Sequence, residues 1–163
     1  MATTADLALF SMDFDALEAG GTFGSRGRTI TEADIVAFSA LTGDWHPQHS
    51  DAVWAAESVF GERIAHGMLV VSFALGLVQY EPGRVLALRG ISKAKFKAPV
   101  RIGDTIRVAG SVESVREIDA NIGLVETRWR VLNQHGKAVA SFALQLLWQR
   151  TPADPPPPGE TAG

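Results

Sequence analysis

Met68-Leu69-Val70-Val71-Ser72-Phe73-Ala74-Leu75-Gly76-Leu77-Val78 is the longest apolar run in the chain, eleven residues broken only by Ser72. A helix that crosses a bilayer needs about 20 apolar residues, so this run reads as a core helix, carried on to Tyr80. It is apolar on every side, and a helix without a polar face must be surrounded over most of its circumference. The second half of the chain supplies the wrapping. Lys93, Lys95 and Lys97 alternate with Ala94, Phe96 and Ala98. Residues 105–115 and 124–132 are rich in β-branched side chains, and Glu126, Arg128 and Arg130 alternate with Thr127, Trp129 and Val131. Asn133-Gln134-His135-Gly136 is a hairpin signal, and 138–149 completes the strands. Short connections predict an antiparallel meander, since parallel crossovers need a dozen or more residues. The expected fold is α+β, an antiparallel sheet wrapped around a long central helix.

Upstream of that helix, residues 22–30 read as a first strand. Thr31 and Asp34 have the spacing of a capping box, Ile35, Phe38 and Leu41 recur at helical spacing, and Gly43 ends the helix. A polar loop, Asp44 to His49, leads to a short helix over 50–58 with Ser50 as its cap. After Arg150 the composition changes: Pro152 and Pro155 to Pro158 hold five of the eight prolines. The expectation is one domain over 1–150 and a proline-rich, solvated, disordered tail over 151–163.

A chain of 163 residues can bury a core without disulfides or metals. Fifteen Lys and Arg against eighteen Asp and Glu leave a formal charge of -3, which argues against nucleic acid or an anionic membrane as partner. With no cysteine there is no thiolate chemistry and no cysteine-ligated zinc. The first basic residue is Arg26, and Asp6, Asp13 and Asp15 precede it, unlike a signal or transit peptide. These features point to a soluble cytoplasmic protein.

Titratable groups are densest in Asp44-Trp45-His46-Pro47-Gln48-His49-Ser50-Asp51, with Ala65-His66-Gly67 as a second polar spot. Asp44-x-x-Pro47-x-His49, then Phe60-Gly61, then Ile64-Ala65-His66-Gly67-Met68-Leu69, resembles the MaoC-like hydratases and dehydratases, including (R)-specific enoyl-CoA hydratases. Phe96-Lys97-Ala98-Pro99-Val100 and Gly103-Asp104 extend the likeness, which covers roughly Phe14 to Trp148. The resemblance implies a hot-dog fold, a homodimer with its site near the interface, and action on acyl thioesters, with Asp44 and His49 as the acid–base pair. It departs at His46, where the family commonly has Asn.

The chemistry fits those positions. Water addition to a 2-enoyl thioester needs a base for the water, a proton for the α-carbon and donors for the enolate oxygen. Asp44 and His49, on a loop bent by Pro47, can converge on one water. The N–H groups opening the buried helix can serve the oxygen, and Gly67 lets a ligand approach closely. The reverse reaction dehydrates a 3-hydroxyacyl thioester. No cofactor is expected beyond the coenzyme A or acyl-carrier part of the substrate, because the reaction is non-redox and no dinucleotide-binding glycine turn occurs.

Plainer readings stand beside these. Asp44 could only form an Asx-turn, His49 could be a buried histidine bonded to backbone, and Gly67 could be a tight start to a helix. His66 is expected to brace the loop, and His46 to be structural or solvent-facing. A metal held by His46, His49 and Asp44 or Asp51 is disfavoured by Pro47, which breaks the helical spacing that would bring the histidines together. Lys93, Lys95 and Lys97, with Arg101 nearby, form either a solvated strand face or a contact for coenzyme A phosphates. Rival functions are a hot-dog acyl-CoA thioesterase and a non-catalytic thioester-binding subunit.

Overall fold

Every second residue from Ala140 to Trp148 is buried (Ala140, Phe142, Leu144, Leu146, Trp148), and this period of two sets the whole C-terminal half as sheet. The structure, a computed structural model, describes residues 9–150. The proline-rich tail expected from 151 onward lies outside those residues.

Two 3-10 turns, Leu9–Ser11 and Phe14–Ala16, lead into strands β1 (Thr22–Gly24) and β2 (Arg28–Thr29). Helix α1 (Glu32–Thr42), the single turn α2 (Pro47–Ser50), the short α3 (Ala52–Glu57) and the core helix α4 (Gly67–Gly76) follow. Strands β3 (Val85–Phe96), β4 (Thr105–Glu117), β5 (Ile122–Leu132) and β6 (Ala138–Gln149) close the chain. The sheet is antiparallel in the order β1-β4-β5-β6-β3, with β2 also paired to β4. Its concave face packs on α4. Leu69, Val70, Val71 and Ala74 of the helix share one core with Val108, Trp129, Val131, Phe142 and Leu144 of the sheet. Burial of each large apolar side chain among them stabilises the fold by about 1.5–3 kcal/mol.

Several expectations need correction. The meander holds only for β4, β5 and β6. Strand β3 lies beyond β6, so residues 97–104 must cross about 14 Å of sheet, three strand spacings, to reach β4. That crossing carries Ala98, Pro99 and Val100 past the start of α4. Residues 22–30 form two strands rather than one. The Ser25 hydroxyl accepts the Val108 N–H at 2.8 Å, taking the place of a backbone carbonyl and ending β1. The helix expected over 50–58 begins at Ala52 and is capped by Asp51, which accepts from the N–H groups of Val53 and Trp54 at 2.9 and 3.0 Å. A carboxylate reaches both donors, which the Ser50 hydroxyl does not. Instead, Ser50 donates to the carbonyls of Trp45 and His46. The core helix stops at Gly76, short of Tyr80, and is not covered all round. Met68, Ser72 and Gly76, spaced by four, form an exposed stripe on the side away from the sheet.

The capping box behaves as its spacing predicts. Thr31 Oγ1 accepts the Asp34 N–H at 3.3 Å, and Asp34 Oδ2 accepts the Thr31 N–H at 2.8 Å. No helix among the described residues is long and apolar enough to cross a membrane.

Candidate active site

Helix α1 ends where Gly43 takes a left-handed φ of 78°, its N–H returning to the Ser39 carbonyl at 2.8 Å. A residue with a Cβ would be strained there, and the turn releases Asp44 into the loop. Asp44 Oδ1 then accepts the His46 N–H at 3.2 Å, so the Asx-turn is present. It uses one carboxylate oxygen. The other, Oδ2, lies 4.0 Å from His66 Nε2.

Next along the loop, His46 Nδ1 accepts the Gln48 N–H at 3.1 Å and so caps α2. Pro47 opens that turn at no cost, since the first N–H of a helix has no partner to lose. His46 thus steadies the loop with its own side chain while remaining exposed, which joins the two roles, structural or solvent-facing, expected of it.

The turn delivers His49 into the interior. It is 9% exposed, and its Nδ1 lies 2.7 Å from the Ile64 carbonyl oxygen. A carbonyl only accepts, so Nδ1 carries the hydrogen and Nε2 keeps its lone pair. Burial holds the His49 pKa below the ordinary histidine value. The bond to Ile64 and the Asp44 carboxylate oppose that shift, and His66 and His46 add to it. His66 is 3% exposed and stacks on His49, with centroids 3.7 Å apart. One donor or acceptor atom from each of Asp44, His49 and His66 falls within 4.8 Å of the others.

These residues open on a cavity of about 500 Å³, whose apolar walls include Phe38, Phe60, Val70, Phe96, Val100 and Val139. That volume lies in the range of small-molecule sites. Gly67 begins α4 at the cavity wall, and no side chain caps the helix there. A Cβ on Gly67 would meet the Phe96 ring at 2.8 Å, so the ring occupies the space that a side chain would need.

The lysine stripe is not one face. Lys93 has a positive φ of 53°, and the β3–β6 register shifts between Ser92 and Lys95, so a bulge breaks the alternation. Lys97 lies just past the end of β3 and lines the cavity. All three are exposed, whereas Arg101 is engaged by Glu62 at 2.6 Å and the Phe60 carbonyl at 3.1 Å. The metal set weighed from sequence is not the one that converges. His46 is occupied in the loop, and His66 takes its place beside Asp44 and His49.

Sequence reasoning missed two contacts. Phe96 against Gly67 joins residues far apart in the chain and leaves no local signal. Ser39 Oγ, 3.2 Å from His66 Nε2, did leave one: it follows Ile35 by four residues and so places a polar group on the buried face of α1.

A six-stranded antiparallel sheet curled over a helix, with a polar cluster where that helix begins, defines a hot-dog protein. The MaoC like domain family matches over residues 16–135, and the chain belongs to that family. It is 43% identical over 100 residues to Protein MaoC of Klebsiella aerogenes, covering 61% of this chain and 30% of that protein. It is 41% identical over 95 residues to the (R)-specific enoyl-CoA hydratase of Rhodospirillum rubrum, covering 56% and 64%. A solved structure described as a monoamine oxidase regulatory protein from Archaeoglobus superposes with a TM-score of 0.81 at 37% identity, covering 86% of this chain and 96% of the other.

Proposed function

We propose that this protein is a lyase that hydrates 2-enoyl thioesters and dehydrates 3-hydroxyacyl thioesters, coenzyme A being the carrier in the simplest case. The carrying observation is the convergence of Asp44 and His49, one ligand atom of each within 4.8 Å of the other, with His49 Nε2 left bare, on a cavity whose wall also holds the uncapped start of α4. The likeness to the hydratase of Rhodospirillum rubrum, 41% identical over 95 residues, supports the same reading.

In this mechanism a water is held by the Asp44 carboxylate and His49 Nε2. As its oxygen bonds to the β-carbon, its proton passes to this pair and the alkene electrons move to the thioester oxygen as an enolate. The Gly67 N–H and the α4 dipole stabilise that oxygen. The pair then returns one proton to the α-carbon, so one water is added in all. Lys97 at the cavity, with Lys93 and Lys95 further along the edge, is suited to the phosphates of coenzyme A. Two copies would pair through β3, an edge strand that exposes Leu86, Leu88, Ile91 and Phe96. The whole reading is tested by incubating the purified chain with crotonyl-CoA. Loss of the enoyl chromophore with the thioester intact supports it. Release of free thiol would favour a thioesterase, and no conversion a binding subunit.

A further inference from the structure

Ser39 is 1% exposed on α1, and its hydroxyl oxygen lies 3.2 Å from His66 Nε2. The same nitrogen lies 3.1 Å from the backbone oxygen of Asp44. A carbonyl has no proton to give, so Nε2 carries the hydrogen, and the two oxygens share it in a three-centre bond. His66 Nδ1 is buried with no hydrogen-bond partner. In the Nε2–H form it is a bare lone pair, the milder kind of unmet group. The opposite tautomer would bury an orphan N–H and set the Nε2 lone pair against the Asp44 carbonyl oxygen, with only the Ser39 hydroxyl able to donate to it. The surroundings therefore select one tautomer and one ring orientation.

The ring so fixed touches both proposed acid–base groups. It stacks on His49 at 3.7 Å with planes 27° apart, and it holds the peptide oxygen of Asp44. Phe38, the neighbour of Ser39 on α1, lies 5.1 Å from it at 53°. We infer that Ser39 is a positioning residue: the Asp44 carbonyl sets His66 as the Nε2–H tautomer, Ser39 completes the three-centre bond that holds the ring in a fixed plane, and His66 in turn sets the ring of His49 and the peptide of Asp44. This inference rests on the hydratase reading, since the groups positioned are its proposed acid–base pair.

Two readouts test it on the full chain. In spectra of protein labelled with nitrogen-15 at its four histidines, at pH 8, His66 is expected as the Nε2–H form and His49 as the Nδ1–H form. Ser39→Ala leaves the Asp44 carbonyl to keep His66 in the Nε2–H form, and is expected to shift and broaden the His66 and His49 nitrogen signals as the ring plane loosens. The same variant should lose about 10-fold in kcat on crotonyl-CoA, the scale of a slight misplacement of reacting groups, with KM within about two-fold because Ser39 touches no thioester. Ser39→Thr, which keeps the hydroxyl, should recover most of that loss. An Nδ1–H form of His66 in the wild-type chain overturns the inference, as does a wild-type kcat in Ser39→Ala. If Ser39→Ala does not fold, Ser39→Cys, close in size but a much weaker hydrogen-bonding partner, takes its place, and a wild-type kcat in it overturns the inference. The spectra need no turnover, so a chain inert towards enoyl thioesters defeats the hydratase reading and is not mistaken for failure of the tautomer assignment.

Discussion

The rings of His49 and His66 lie face to face, 3.7 Å apart, and each binds a carbonyl in the other's segment. His49 donates to Ile64, two residues before His66, and His66 donates to Asp44, five residues before His49. This crossed pair ties the loop after α1 to the approach to α4, and the Ile64 N–H adds a bond to the Gln48 carbonyl at 3.2 Å. The candidate base and the helix start that faces it are thus held as one unit, and changes to either can be predicted from these bonds.

Burial lowers the His49 pKa, so the imidazole stays neutral on acidification longer than an exposed histidine, whose value is about 6.5. The acid limb of kcat/KM assigned to this group should fall below that value. His66, Asp44 and His46 face the ring and set how far below. Stability has a definite sign too. Once the pH drops through the unfolded pKa, the unfolded chain takes up a proton that the folded one refuses, so this group's contribution falls until its folded pKa is reached. Thermal melts of wild type and His49→Gln between pH 8 and 5 check this; the variant should lose less stability on acidification.

Gly67→Ala should separate folding from turnover. Its Cβ would stand 2.8 Å from the Phe96 ring, but that side chain is 55% exposed and can swing aside. The melting temperature should change little, while kcat on crotonyl-CoA falls by about 100-fold: alanine keeps the backbone N–H, but its methyl group holds the thioester oxygen away from that donor, and a misplacement of about 1 Å costs on this scale. Unchanged turnover in the folded variant would remove Gly67 from the mechanism.

Gly110→Ala should do the opposite. There the Cβ would meet the Arg128 carbonyl at 2.6 Å as well as the Phe23 ring, and paired backbone in β4 and β5 has nowhere to move. Overpacking of this kind costs about 1–3 kcal/mol, readable as a lower denaturant midpoint.

Ile91→Lys tests the edge of β3. The residue is 44% exposed, so the fold should survive, while a charge on an edge strand opposes pairing with another. Sedimentation should show a dimer for the wild type and a shift to monomer for the variant; a wild-type monomer would refute dimerisation through this strand.

Much of this was legible in the sequence because periodicity and caps are local. The Thr31–Asp34 box, the Gly43 stop and the turn ending at Gly136 sit where their spacing put them. The path of residues 97–104 was not legible, since strand order depends on which edges meet rather than on any one strand. Asp44 and His49 could be singled out from one loop. His66 could be read as a brace, but its stacking on His49 and its bond to Ser39 join three separate segments, and only the fold brings them together.

Asp44→Asn gives the most direct test of the mechanism. Asparagine keeps an oxygen for the His46 N–H, so the Asx-turn and the fold should persist, as circular dichroism can show. It lacks the negative charge that the account assigns to water activation. Hydration of crotonyl-CoA by the folded variant should fall at least about 100-fold in kcat, the low end of what a positioned acid–base group contributes. Near wild-type hydration by the folded Asp44→Asn protein would contradict the account.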